Sequence, residues 1–331
     1  MRSRGVSLRE AAAQAVWGAL VLASAAAAAE PAWTLRESQR LAGDTERPLV
    51  EPAGVLADAF GRVWASDASL HKLRRWDDHG TPLDETGALG SEPGRFRHPG
   101  ALVRLGSLGV AVLDVENLRV VTYDHHLRLL GVLVDLASSD LEARAGRVRP
   151  VALASDRGGA VYVADADRDR LLVFDFAGEF QRELGGFAAR AGGFSGLQGV
   201  ACGPRGALVT VERPRARGRR AAPTDSLIGR SRVQWLDSGG RVVAARWTPA
   251  WSSGSGETFL SVAVDDSSRV AVAAERSGEL FLFGADGTLL ARLSNLVAPR
   301  ALAFAPDGSL LVAEAGAGRV RRLVAEPAAR E

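Results

Sequence analysis

The chain has 331 residues, 47% hydrophobic and 24% charged, a balance that excludes a long disordered protein. Its 41 basic and 39 acidic side chains leave a net charge of +2, too small for the basic surface that nucleic-acid binding needs. Cys202 is the only cysteine, which excludes a disulfide framework, and every basic residue except Lys72 is arginine, as a GC-rich coding sequence produces.

At the N-terminus, Arg2, Arg4 and Arg9 precede an apolar run over 11–29 that ends in Ala27-Ala28-Ala29. A charged start, an apolar middle and small residues at the end predict a secretory signal peptide over 1–29, cleaved after Ala29. The run is alanine-rich and short for a membrane span, so a retained anchor is the lesser alternative. A periplasmic or secreted domain over 30–331 follows, with no transmembrane span. Its first strand candidate is WTLRESQRLAG, residues 33–43.

From residue 51 onward one pattern recurs. Short apolar strands begin at EPAGVLAD, HPGALVRL, RPVALASD, LQGVACGP, FLSVAVDD and APRALAFA. Each is followed by a second strand ending in an acid (Asp67, Asp114, Asp165, Glu212, Glu275 and Glu314), a short turn, and a third strand. A fourth strand closes each repeat except the last, which stops at RVRRLVAEPAARE. Four short strands per repeat, punctuated by Gly, Asp and Pro, predict an antiparallel meander. Six such repeats predict an all-β, six-bladed β-propeller of four-stranded antiparallel blades. Segment 33–43 is left to supply the missing outer strand and close the ring. No convincing amphipathic helix is expected in the mature chain.

The repeat resembles that of the NHL-repeat β-propellers, in an exported bacterial form. The lead-in Pro93-Gly94-Arg95-Phe96-Arg97-His98-Pro99-Gly100 fits that family's pattern, as do Val161-Tyr162-Val163-Ala164-Asp165, Arg170, Phe174, Asp175 and Gly178. Asp114-Val115-Glu116-Asn117-Leu118-Arg119 is the complete copy of its D-x-x-N-x-R element. Elsewhere the Asn position holds Leu70, Arg168, Gly278 or Ala317, and blade four is interrupted. The resemblance covers about residues 50–324 and implies the fold. It does not fix a function, because such propellers bind proteins, RNA or small molecules and some are enzymes.

The stretch Asp165-Ala166-Asp167-Arg168-Asp169 alternates carboxylates as a calcium loop does. Such a loop needs Gly at its sixth position and Glu at its twelfth, which here are Arg170 and Phe176. A hairpin reading is the better one: the acid and the base five residues on face each other across a turn, as Asp67 with Lys72, Asp114 with Arg119, Asp165 with Arg170 and Glu314 with Arg319. Asp167 and Asp169 are then solvated turn residues. Of the five histidines, His71, His79, His98, His125 and His126, none follows residue 126, so a zinc site drawn from several blades is not expected. The inner strands begin near Glu51, His98, Arg149, Gln198, Phe259 and Arg300, without the convergent acids of a lactonase-like channel. Cys202 reads as a buried structural thiol, and His125-His126 as a solvated turn. No cofactor, metal or catalytic residue is expected.

Function is expected on the loops. Blade four carries an insertion over 213–230 with Arg213, Arg215, Arg217, Arg219, Arg220 and Arg230 around one acid, Asp225. A solvated loop or an arm for an acidic partner would both use it. Propeller topology places it on one face with the long links 136–148 and 248–258, the latter flanked by Trp247 and Trp251. These residues are the candidate partner-binding surface. The expected function is a non-catalytic scaffold binding another macromolecule, a protein and not a nucleic acid, in an envelope or membrane complex. The alternative is a propeller enzyme of lyase or lactonase type at the channel mouth.

Overall fold

The computed structural model describes residues 33–43, 47–107, 109–188, 192–213, 231–247 and 260–328. A first strand, β1 (Trp33–Ala42), precedes five complete blades. Blade one is β2 (Pro52–Ala57), β3 (Val63–Asp67), β4 (Lys72–Trp76) and β5 (Pro82–Thr86). Blade two is β6 (Pro99–Leu105), β7 (Gly109–Asp114), β8 (Arg119–Asp124) and β9 (Leu129–Asp135). Blade three holds β10 (Pro150–Ser155), β11 (Val161–Asp165), β12 (Arg170–Phe174) and β13 (Phe180–Gly185). Blade four holds β14 (Leu197–Cys202), β15 (Leu208–Glu212), β16 (Arg232–Leu236) and β17 (Val242–Trp247). Blade five is β18 (Leu260–Val264), β19 (Val270–Ala274), β20 (Glu279–Phe283) and β21 (Leu289–Leu293). Blade six joins β22 (Pro299–Phe304), β23 (Leu310–Glu314) and β24 (Arg319–Pro327) to β1, so the N-terminal strand closes the ring as expected.

The core is divided among the blade interfaces instead of filling the ring axis. Six apolar clusters each join two neighbouring blades. Strand periodicity explains this, because successive side chains point to opposite faces of a sheet. In β3, Val63 and Ala65 pack toward blade six while Trp64 packs toward blade two. Middle strands are therefore buried on both faces and read as continuous apolar runs, whereas β1 on the rim alternates.

Register fixes which loops share a face. Pro52 stands opposite Asp67 and Leu73 opposite Thr86, so the start of an inner strand, the hairpin between second and third strands and the end of the outer strand lie together. This link face carries the blade-to-blade connections. One connection differs from expectation: the link after β9 contains a short helix, α1 (Ser139–Ala145). The Ser138 side chain accepts a hydrogen bond from the Leu141 N–H, and Leu141 and Ala145 bury one edge against the cluster of blades two and three. Two buried positions over seven residues are too few to register as amphipathic periodicity in the sequence.

Candidate functional site

The hairpins that resembled a metal loop hold the blades together. Asp114 and Asp165 are fully buried, and each accepts a backbone N–H from the segment leading into its own inner strand: Arg97 at 2.8 Å and Arg149 at 3.1 Å. Arg119 Nε donates to Asp114 at 2.9 Å, and Arg170 Nε to Asp165 at 3.0 Å. Glu314 takes the Val297 N–H at 2.8 Å and pairs with Arg319. The carboxylates are thus latches between a hairpin and the preceding link, with the lone pairs a cation would need already occupied.

Three expectations are corrected. Asp67 does not bind Lys72; it accepts the N–H groups of Val50, Glu51 and Leu70, and Lys72 pairs with Glu85 on β5. Lysine is unforked, and its single ammonium turns to Glu85 on the outer strand instead of to Asp67. Glu275 is not the hairpin acid of blade five, because Ala274 stands opposite Glu279 and Glu275 lies one residue beyond β19. Asp169 is not a solvated turn residue: it is 2% exposed, and its carboxylate accepts the Leu197 N–H at 2.9 Å. Asp167 is exposed and pairs with Arg149.

Blade four keeps the latch across its insertion. Glu212 and Arg232, both fully buried, stand opposite each other and form an ion pair. Ser195 N–H, Thr210 Oγ1 and Gln234 Nε2 also donate to Glu212. Burial pushes the Glu212 carboxyl above its ordinary range, against the pull of Arg232. Arg213 follows Glu212 directly, and its N–H donates to the Gly196 carbonyl. Arg215, Arg217, Arg219, Arg220, Arg230 and Trp251 lie outside the described residues, as does the 248–258 link. Trp247 ends β17 opposite Arg232.

At the ring axis, residues from all six inner strands line a cavity of about 430 Å³. Its walls are mainly Gly, Ala and aliphatic residues, and its link-face end carries His98, Gln198, Glu275 and Arg300. Local bulges explain why Gln198 and Arg300 reach the channel. The pairing register shifts at the start of β2, β6, β10, β14 and β22, and the bulged residues include Gln198 and Arg300. Arg300 joins three blades: it reaches Glu51 at 2.6 Å and Glu275 at 2.9 Å. The Ser69 hydroxyl, and then Arg300, hold the Glu51 carboxyl below its ordinary range. His98 has a left-handed backbone, φ 59°, and its N–H donates to His71 Nδ1 at 3.1 Å, which leaves a neutral His71 protonated at Nε2.

Cys202 ends β14 half-buried, and burial pushes its thiol up to about 12, so no nucleophilic thiolate forms near neutral pH. His125 packs on Phe60 with ring centroids 5.6 Å apart, so that turn is less solvated than expected. No helix among the described residues is long and apolar enough to cross a membrane.

The link face also carries apolar side chains that the sequence did not single out. Val50, Leu89, Phe187 and Val297 are 44%, 56%, 48% and 44% exposed, and all lie on blade-to-blade links. They occupy repeated positions. Val50 and Val297 each donate an N–H to a hairpin acid, and Leu89 and Phe187 each bridge to a buried phenylalanine of the same link.

No protein-family model matches the chain, and no curated relative does, so the NHL-repeat resemblance rests on the repeat residues alone. Solved structures share the six-bladed fold. Streptogramin B lyase is 12% identical, with 89% of this chain and 98% of that one covered and a TM-score of 0.57. Virginiamycin B lyase from Staphylococcus aureus is 10% identical, covering 88% and 99%, also at 0.57. Hydrazine synthase of Kuenenia stuttgartiensis is 13% identical, covering 86% and 97%, at 0.55. At such identities the likeness is one of fold.

Proposed function

We propose that the chain is a non-catalytic recognition propeller, exported by its N-terminal segment, that docks another protein of the cell envelope on its link face. The observation carrying this reading is the set Val50, Leu89, Phe187 and Val297, large apolar side chains exposed on four links around a charged mouth. Exposed apolar side chains inside a polar surround characterise docking surfaces, where a few anchors dominate the affinity. The Arg-rich insertion leaves and rejoins blade four on this face, between Glu212 and Arg232, and adds charge for an acidic partner. The mouth itself favours binding over acid–base chemistry, since Glu51 and Glu275 are both engaged by Arg300.

The test is quantitative capture of an envelope partner by wild type and by the variant carrying Val50, Leu89, Phe187 and Val297 each changed to Ser. Capture is expected to weaken at least about tenfold, an effect of one or two lost anchors. Changing Phe60 and Phe176 to Ser, on the opposite face, is expected to leave it intact. Equal capture by all three proteins would remove the link face from consideration. A second reading, a small-molecule enzyme at the channel mouth, draws on His98, whose imidazole lines the cavity on a strained left-handed backbone. It requires turnover of some small molecule that His98→Ala abolishes.

A further inference from the structure

Two polar side chains on the cavity wall lack the partners that burial normally demands. Gln198, at the bulge of β14, is 8% exposed, and Ser261, on the neighbouring inner strand β18, is 7% exposed. Among the described residues Gln198 Oε1 and Ser261 Oγ have no hydrogen-bond partner, and both residues line the axial cavity. Buried acceptors are rarely left unmade, because desolvation without a replacement bond is unfavourable. The other lining residues are mainly glycine, alanine and aliphatics, and the charged ones, Glu275 and Arg300, are bonded to each other.

What would complete the site follows from its chemistry. Gln198 Oε1 can only accept, and the Ser261 hydroxyl can accept as well as donate, so a ligand that brings N–H donors satisfies both. At the mouth, Glu51 and Glu275 both pair with Arg300, so carboxylate oxygens stand at the end of the cavity, where they favour a cation over an anion. The apolar walls favour an unbranched hydrocarbon for the remainder. An ammonium group offers three donors and a positive charge on a slender stem.

We propose that the axial cavity binds a protonated primary amine on a short apolar body, its ammonium held by Gln198, Ser261 and the Glu51–Arg300–Glu275 rim. The site is distinct from the macromolecular surface on the links, and its test needs no partner protein. The full chain is titrated calorimetrically, at fixed ionic strength and neutral pH, with n-hexylammonium, n-hexanol and n-hexanoate. The amine is expected to bind with a 1:1 stoichiometry and to raise the thermal midpoint, the alcohol to bind about tenfold more weakly, and the carboxylate not to bind.

Gln198→Leu and Ser261→Ala remove the orphaned atoms and are expected to keep or raise the midpoint of the free protein while weakening the amine by about tenfold each. That combination separates a ligand contact from a structural one. Absence of amine binding, equal affinity for the three compounds, or full affinity in both variants would overturn the assignment. A variant whose free-state midpoint falls would overturn it as well, by showing that the atom already has a partner within the fold.

Discussion

Replacing Arg232 by alanine lowers the stability of the folded chain by about 3–5 kcal/mol at neutral pH, measured as the loss in unfolding free energy in urea. The magnitude follows from what the substitution strands. Glu212 is fully buried, and Arg232 is its ion-pair partner. Removing the guanidinium leaves a carboxylate with hydrogen bonds from Ser195, Thr210 and Gln234 but, among the described residues, no ion-pair partner. The double variant Glu212→Gln with Arg232→Met keeps similar volume without either charge and is expected within about 1.5 kcal/mol of wild type, since uncharged packing commonly replaces a buried pair. A single-variant loss below about 1 kcal/mol would show that the latch contributes little.

The pH dependence has a definite sign. The folded state holds Glu212 above its ordinary value, so folding favours the protonated carboxyl. Its contribution is fully present below the unfolded glutamate value, about 4.3, and is lost as pH rises through the raised folded value. Glu212→Gln should flatten that limb of the stability curve. In Arg232→Ala the opposing charge is gone and the carboxyl rises further, so the loss should shrink on acidification toward pH 4 and grow toward pH 8.

The same pair shows where the sequence is legible. The fold could be read because each blade repeats a local pattern: apolar strand, acid, turn, strand. Even the closing role of segment 33–43 followed from counting strands. Where acid and base lie five residues apart, as in Asp165 and Arg170, the hairpin geometry was visible too. The insertion in blade four moves the base twenty residues from its acid, and among so many arginines nothing local marks Arg232. Lys72 and Glu275 misled for a related reason. Spacing assigns positions, but the choice between two acids within reach, or a strand end shifted by one residue, depends on register.

The candidate site was less legible still. Gln198 and Arg300 stood near the expected channel mouth, yet their exposure to it depends on bulges at the strand starts. A bulge adds one unpaired residue without changing the hydrophobic pattern, so periodicity cannot reveal it. Val50, Leu89, Phe187 and Val297 were likewise indistinguishable in sequence from buried aliphatic and aromatic residues around them. Only the path of the links brings them to the surface.

Deleting residues 33–43 has the largest effect expected of any change to the chain: loss of a cooperatively unfolding monomer. Nine residue pairs join β1 to β24, from Trp33 opposite Pro327 to Ala42 opposite Arg319. Leu41, 1% exposed, belongs to the core between blades six and one, and Glu37 pairs with Arg321 at 2.6 Å. Without β1, β24 becomes a bare edge beside an opened core, the condition under which sheets associate. The cause can be separated from the mere loss of eleven residues by permutation. Since Trp33 faces Pro327 directly, a two-residue Asn-Gly turn can join them as an ordinary hairpin, giving a chain that begins at Arg47 and ends at Gly43. Gly43 lies against the Arg47 carbonyl, so the new termini meet without strain on the ring. This permutant should be monomeric with an unfolding midpoint close to wild type, while the deletion elutes as aggregate in size-exclusion chromatography. A deletion that remains a stable monomer would mean that three strands suffice in blade six and that the interblade cores alone hold the ring. If instead the permutant also aggregates, covalent order between β1 and β2 matters as much as the pairing itself, because the permutant preserves every contact of β1 except that connection.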